Sequence, residues 1–379
     1  MATGQTYVEL ISAVDSRLKN VHTQSLDISF NELASMVQEK ELDISPAYQR
    51  LFQWSEGARS RFIESLLLEM PVPPIYMVEE DDGRKLLIDG LQRISSFLHF
   101  RGLLNAPHLD PAIGVGQFLT LQECDIVPEL NGKTYDDLGT SLQIKLKRSF
   151  VRVEVIRKGS DPRFKYHMFK RLNAGGEALT PQELRNCTIR LLNSTYIDFM
   201  NQLAKDEDFV VCTSTLSDEQ IKASYPAELV LRYYALKNYR DNFRHDVADF
   251  LTEYLEKISD PEITLPFDMN SEKESFRKTF GIFRATLAEK MFGRANKQLR
   301  GLIAGFGVYH YEAFAIGLQA VIDQLDPSDL AQMQNLGAVF TEIKLDPEFV
   351  ALTTGGGKNS PGPLNSRISF VASKLAGRV

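Results

Sequence analysis

Three short segments of this chain carry residue types able to hold a phosphorylated ligand. The first is Asp89-Gly90-Leu91-Gln92-Arg93. Leu86, Leu87 and Ile88 make an apolar strand that enters it, and Ile94, Phe97 and Leu98 make a helix face that leaves it. Gly90 thus falls at a strand-to-helix turn, where the missing Cβ permits a sharp backbone and close approach of a ligand. The first turn of the helix offers free N–H groups and the positive end of the dipole, which favours an anion. Arg93 can add a two-pronged contact to phosphate, and Asp89 can hold Mg²⁺ or position a water. The same spacing also suits a plain strand–turn–helix in which Arg93 makes a structural ion pair.

The second segment is Pro46-Ala47-Tyr48-Gln49-Arg50, followed by Trp54. Proline keeps it extended, and an aromatic ring beside an arginine can stack on a base and clamp a phosphate; core packing of Tyr48 and Trp54 is the alternative. The third is Phe169-Lys170-Arg171-Leu172-Asn173-Ala174-Gly175-Gly176. A helix ending in a glycine pair is a C-cap, and the same glycine amides with Asn173 can line a ligand site. Gly355-Gly356-Gly357-Lys358-Asn359 superficially suggests a P-loop. Its spacing is wrong, Asn359 replaces Ser or Thr, and no buried strand precedes it, so a loop is expected.

The charge distribution adds a second theme. The chain carries a net charge of −7, which gives no general attraction for nucleic acid. Between Gln143 and Arg171, however, ten basic residues face only Glu154 and Asp161. Lys145, Lys147, Arg148 and Arg152 head this run and are candidates for nucleic-acid contact; a solvated face with counter-ions elsewhere in the fold is the competing reading. Cys124, Cys187 and Cys212 are odd in number and form no CxxC pair, which argues against a disulfide framework or a cysteine zinc site and fits a reducing compartment. Met1 to Glu9 has no basic start followed by an apolar run, and no apolar stretch approaches the roughly 20 residues of a membrane span, so a cytoplasmic protein is expected.

The elements that must position these groups are readable from periodicity. Ser25 to Phe30 and Phe150 to Ile156 alternate as strands, and Ile75 to Val78 and Lys85 to Asp89 read as two strands joined at Asp81-Asp82-Gly83. Asn31 to Glu39 reads as a helix, and a second helix capped by Ser55 runs to Glu69, ahead of Pro71, Pro73 and Pro74. A further helix is expected from Pro162 to near Leu172. Thr180-Pro181-Gln182-Glu183 is a capping box. Beyond it the pattern is helical: 181–192, 195–203, 226–236, 247–258, 275–291 and 312–325. The chain is therefore expected to be α+β, with a mixed domain over 1–178 and an all-helical domain over 179–379; Thr353 to Pro363 should be a loop.

Taken together, the three segments resemble the N-terminal domain family of GmrSD restriction endonucleases. That family's motifs read Tyr-Gln-Arg with a following Trp, Asp-Gly-Gln-Gln-Arg, and Arg-Leu-Asn-x-Gly-Gly with a Gln-Glu-x-Arg-Asn tail. Here they stand as Tyr48-Gln49-Arg50 with Trp54, Asp89 to Arg93, Arg171 to Gly176, and Gln182-Glu183-Leu184-Arg185-Asn186, in the same order over roughly residues 25–190. The resemblance implies a ParB/sulfiredoxin-like fold whose phosphate-binding loop is Asp89 to Arg93. It implies that Asp89, Gln92 and Arg93 act on a nucleoside triphosphate with Mg²⁺ on Asp89. It also implies that Tyr48, Gln49, Arg50, Gly90, Arg171, Asn173 and Gly175 line the nucleotide pocket. Leu91 departs from the pattern. It stands where the family has a glutamine and can neither orient a water nor bond a phosphate, which touches hydrolysis more than binding.

Three functions compete. The first is an NTP-binding, NTP-hydrolysing component of a bacterial anti-phage restriction system that gates engagement of DNA or of a separately encoded effector or nuclease. The second is a DNA-binding or DNA-cleaving module using the same phosphate pocket. The third is a non-catalytic interaction protein with a decayed pocket. Members of the family that cleave DNA often add a His-Asn-His-type domain; His245 and His310, the histidines beyond the boundary, fall in no such motif.

Overall fold

A computed structural model describes residues 22–44, 54–161 apart from 108 and 110, and 193–378 apart from 245, 261, 262 and 264, together with parts of 9–15 and 164–189. The chain divides into two compact units, Met1–Leu179 and Thr180–Val379.

The first unit is mixed α/β. Its strands are β1 (Thr23–Ser29), β2 (Leu42–Asp43), β3 (Ile75–Glu79), β4 (Lys85–Asp89) and β5 (Phe150–Ile156), in the spatial order β1-β5-β3-β4-β2. β1 runs antiparallel to β5, β5 parallel to β3, β3 antiparallel to β4, and β4 parallel to β2. Side-chain alternation decides which face is buried. Val151, Val153 and Val155 of β5 join Ile75, Met77 and Leu87 in one core. Covering that face are α1 (Phe30–Gln38), α2 (Glu56–Leu67), α3 (Leu91–Phe100) and α4 (Gly139–Arg148). They contribute Phe30, Leu33, Phe62, Ile63, Phe97, Leu98 and Leu146. On the opposite face Asp27 stands across from Arg152, and Ser25 from Glu154. Ser29 caps α1 by accepting from the Glu32 amide, and Ser55 caps α2 by accepting from the Ala58 amide. Each satisfies one of the orphan donors at a helix start. The long connection after α3 is pinned by buried Glu64, whose Oε1 accepts from the amides of Ile126 (3.1 Å) and Val127 (2.7 Å).

The second unit is mostly helical. It contains α5 (Ser194–Leu203), α6 (Glu207–Cys212), α7 (Asp218–Lys222), α8 (Tyr225–Asn238), α9 (Val247–Ser259), α10 (Met269–Thr286), α11 (Val308–Gly317), α12 (Leu330–Leu345), α13 (Pro347–Thr353) and α14 (Pro361–Leu375). The expectation of an all-helical domain needs correcting: β6 (Arg294–Ala295) and β7 (Leu302–Ile303) form an antiparallel ribbon. Its loop is closed by Asn296, whose amide donates to Gly301 O (2.8 Å) while its Oδ1 accepts from the Arg300 amide (2.9 Å). Gly293 leads in because a Cβ there would lie 2.1 Å from the Ile303 carbonyl oxygen. The expected loop over 353–363 is also shorter than expected, since Pro361 opens α14. Proline is suited to a first helical turn.

A chain of alternating charges runs through this unit. Arg185 meets Glu228 (2.7 Å), Glu228 meets Arg232 (3.1 Å), Arg232 meets Glu312 (2.6 Å), and Glu312 meets Arg367. It ties α8, α11 and α14 together, and every link has a partner of opposite sign, which is what burial of charge demands. Lys344 is an exception. Its buried Nζ donates to Gly293 O (2.8 Å), lies 3.3 Å from His310 Nδ1, and sits 4.8 Å from the Phe314 ring centroid. Burial pushes its ammonium down to about 7. The unfolded chain holds this proton up to an ordinary lysine pKa, so between about pH 7 and 9 the unfolded state binds more protons. Stability therefore rises with pH in that window, at up to about 1.4 kcal/mol per pH unit from this group. Denaturation of the wild type and of Lys344→Met at pH 7, 8 and 9 should show the slope in the wild type and its loss in the variant. Identical slopes would return Lys344 to an ordinary lysine.

Candidate functional site

The strand–turn–helix of the first motif forms as its residue types dictate. β4 delivers Asp89, α3 begins at Leu91, and Gly90 joins them with φ 114° and ψ 9°. An added Cβ would lie 2.8 Å from Ile75 Cγ1, so both the backbone angle and the space require glycine. The first intrahelical bond is Ile94 N to Gly90 O at 3.0 Å. The amides of Leu91, Gln92 and Arg93 precede it and have no intrahelical acceptor. Gly90 supplies no capping side chain, and the first turn of α3 holds no acidic residue. The positive end of this helix is thus left without the usual protein anion.

Arg93 takes a specific position beside this turn. One guanidinium nitrogen, Nη1, donates to the carbonyls of Pro73 and Pro74 (3.0 Å to the latter), and Nη2 donates to Asp89 Oδ2 at 2.7 Å. The side chain is 10% exposed, whereas that of Asp89 is 41% exposed. The residue expected to reach a phosphate therefore also staples the proline segment before β3 to the end of β4. Proline supplies carbonyls but no donor, so these oxygens must find an outside partner, and Arg93 is it.

Gln92 is engaged as well. Its Oε1 accepts from the Trp54 amide at 3.2 Å. The Trp54 carbonyl accepts from Arg59 Nε at 2.8 Å, and Arg59 Nη1 lies 3.2 Å from His99 Nδ1. Arginine only donates, so His99 Nδ1 is the acceptor and the imidazole proton sits on Nε2. Burial, with the Arg59 cation, pushes His99 down to about 4, which keeps it neutral. Both backbone polar groups of Trp54 are thereby held, one by the first motif and one by α2, while its ring meets Phe62 edge-on at 5.8 Å. Arg59 was not legible as part of this arrangement. It lies outside the motifs; one partner is a backbone carbonyl, that of Trp54, and the other, His99, is 40 residues away in sequence. Leu91 is partly buried and packs against the hydrophobic core.

Tyr48, Gln49, Arg50, Asn173 and Gly175 lie outside the described residues. Arg171 is helical and exposed. Of the motif's tail, Arg185 is buried in the second unit. It donates to Gln182 Oε1 (2.9 Å), Ala248 O (3.0 Å) and Glu228 (2.7 Å), and burial lowers its pKa to about 10. The basic run is divided. Lys145 pairs with Glu69 (3.2 Å) and Arg152 with Asp27 (2.9 Å), whereas Lys147 and Arg148 form no ion pair among the described residues. Among those residues no group of three or more His, Cys, Asp or Glu side chains could hold a metal by itself. No helix among them is long and apolar enough to cross a membrane.

The first unit is thus a mixed sheet covered by helices on one face, with a glycine-hinged helix start beside a half-exposed aspartate. Residues 31–190 match the family model described as GmrSD restriction endonuclease, N-terminal domain, and the chain is similar to that family over this stretch. The protein is accordingly related to restriction systems. Neither a curated protein nor a solved structure matches the chain.

The clamp makes a distinction between neighbouring residues. Arg93→Ala strands two carbonyls and a carboxylate and should cost about 2–4 kcal/mol. Gln92→Ala loses one neutral bond and should cost about 1 kcal/mol. Urea denaturation of both variants measures the difference; an Arg93→Ala protein as stable as the wild type would contradict the clamp.

Proposed function

We propose that the first unit is a ParB/sulfiredoxin-like domain that binds a nucleoside triphosphate at the Gly90 turn, and that its nucleotide state gates engagement of DNA or of a separately encoded effector in an anti-phage restriction system. The observation that carries this reading is the start of α3. A left-handed glycine packed on Ile75 opens a helix whose first three amides lack intrahelical acceptors, with no capping side chain and no acid in its first turn. Such a start suits a phosphate. The five-stranded mixed sheet and the family match to residues 31–190 support the fold part of the reading.

Asp89 fits Mg²⁺ only in part. One carboxylate oxygen is taken by Arg93. The ion would be shared with the phosphates, as Mg²⁺ commonly is, rather than caged by protein. Arg93 would then hold Asp89 in place and contribute its charge at close range. Arg50, Arg171 and Asn173 would complete the pocket. Turnover has weaker support than binding: Leu91 belongs to the core, and Gln92 already accepts from Trp54. The Gln92–Trp54 link instead offers a path by which an occupied turn acts on the residues before Trp54, which include Tyr48 to Arg50.

Thermal unfolding with ATP, GTP, CTP and UTP, each with Mg²⁺, tests this. At least one should raise the unfolding temperature, and Gly90→Ala, strained by its positive φ, should abolish the shift. Leu91→Gln should raise hydrolysis above the wild-type level. No shift with any of the four would remove the reading.

A further inference from the structure

A second recess lies in the first unit, at the end of β1 and β5. It is a notch of about 530 Å³ lined by Asp27, Ser29, Asn31, Lys147, Arg148 and Phe150. That volume lies in the usual range for small-ligand clefts, about 300–1,000 Å³. Phe150 opens β5 with 69% of its surface exposed, an unusual place for a large aromatic ring. It stands opposite Ser29 on β1, the edge strand among the described residues, and on the sheet face away from the valines of β5.

The notch has the charge to match. Lys147 and Arg148 end α4, and neither forms an ion pair among the described residues. Asp27 is the one carboxylate in the lining, and Arg152 already grips it through two contacts, at 2.9 and 3.2 Å. A third cation stands behind. Arg101 donates to Asn31 Oδ1 at 3.1 Å while its guanidinium lies 4.8 Å from the Tyr135 ring centroid. With its oxygen so occupied, Asn31 has its Nδ2 amide as the group left to donate.

From this arrangement we infer that the notch binds single-stranded nucleic acid. One unstacked base lies on the Phe150 ring, Asn31 Nδ2 donates to an acceptor on its edge, and Lys147 and Arg148 hold the adjoining phosphates. A ring face accepts any base, and the cations follow a backbone, so the site is selective for an unpaired strand rather than for a sequence. In a duplex the bases are stacked on one another, and their faces are closed to Phe150. The site is separate from the Gly90 turn and does not depend on nucleotide binding there.

Fluorescence anisotropy of the full-length protein with a labelled thymidine 12-mer and with a duplex of equal length tests the inference. The single strand should bind at least about tenfold tighter than the duplex. Phe150→Ala, an exposed position, should weaken it about tenfold, the loss of one stacked base. The double variant Lys147→Glu/Arg148→Glu should weaken it further, and Lys147→Ala/Arg148→Ala should reduce the slope of log affinity against log salt by about 1.4. Lys205→Ala, in the second unit, should leave binding unchanged. The inference would be overturned by no binding of the single strand, by equal or tighter binding of the duplex, by wild-type affinity in Phe150→Ala, or by binding of free dTMP with none of the strand. Dimerisation that Phe150→Ala abolishes, without strand binding, would assign the ring to a second copy of the chain and equally overturn it.

Discussion

The first unit depends on how the chain passes from β4 into α3. Gly90 must be left-handed for the helix to start where it does, and Ile75 leaves no room for a side chain at that point. Arg93, one helical turn on, then fixes the geometry by joining Asp89 to the carbonyls of Pro73 and Pro74. These two constraints support each other. The prolines lie between the end of α2 and the start of β3, and they offer only acceptors. A guanidinium with its fan of donors is the side chain best able to satisfy two of these and a carboxylate together. The outcome is a helix start tied by Arg93 to the segment before β3, with its own first amides left without intrahelical acceptors.

The second unit solves a different problem, the burial of charge among aromatic helices. Arg185, Glu228, Arg232, Glu312 and Arg367 alternate in sign and join helices distant in sequence. Buried ion pairs of this kind contribute little net stability over apolar packing, but losing one member is costly. Their value lies in fixing which helices meet. Arg185 belongs to the tail of the family's third motif, so that motif's last arginine serves the packing of the helical unit rather than the Gly90 turn.

Much of the fold was legible in the sequence where periodicity was clean. Phe150 to Ile156 alternates and forms β5 with those limits, and Ser55 caps the helix it was expected to cap. The strand–turn–helix at Gly90 followed from apolar runs on either side of one glycine. Elements without a clear period were harder. α11 is buried nearly all round, so no polar face marked its start at Val308, four residues before the expected Glu312. The β6–β7 ribbon has two residues per strand, too few to alternate. α12 to α14 were not anticipated. Within the candidate site, the turn, its glycine and an ion pair of Arg93 were readable, but the proline carbonyls that Arg93 also meets, and the partners of Gln92 and Arg59, were not. Each lies across the fold, or on backbone atoms that carry no sequence signature. The same holds for the basic run, where Glu69 and Asp27, far away in sequence, decide which cations remain unpaired.

The amides of Leu91, Gln92 and Arg93 lack intrahelical acceptors, and the proposed nucleotide would be their partner. Hydrogen–deuterium exchange of the full-length protein with and without a nucleoside triphosphate and Mg²⁺ reads them directly. The account predicts fast exchange at these positions in the free protein and marked slowing on addition of nucleotide, with Ile94, already bonded to Gly90, slow in both. Protection confined to other parts of the chain, with Leu91 to Arg93 exchanging as before, would contradict it.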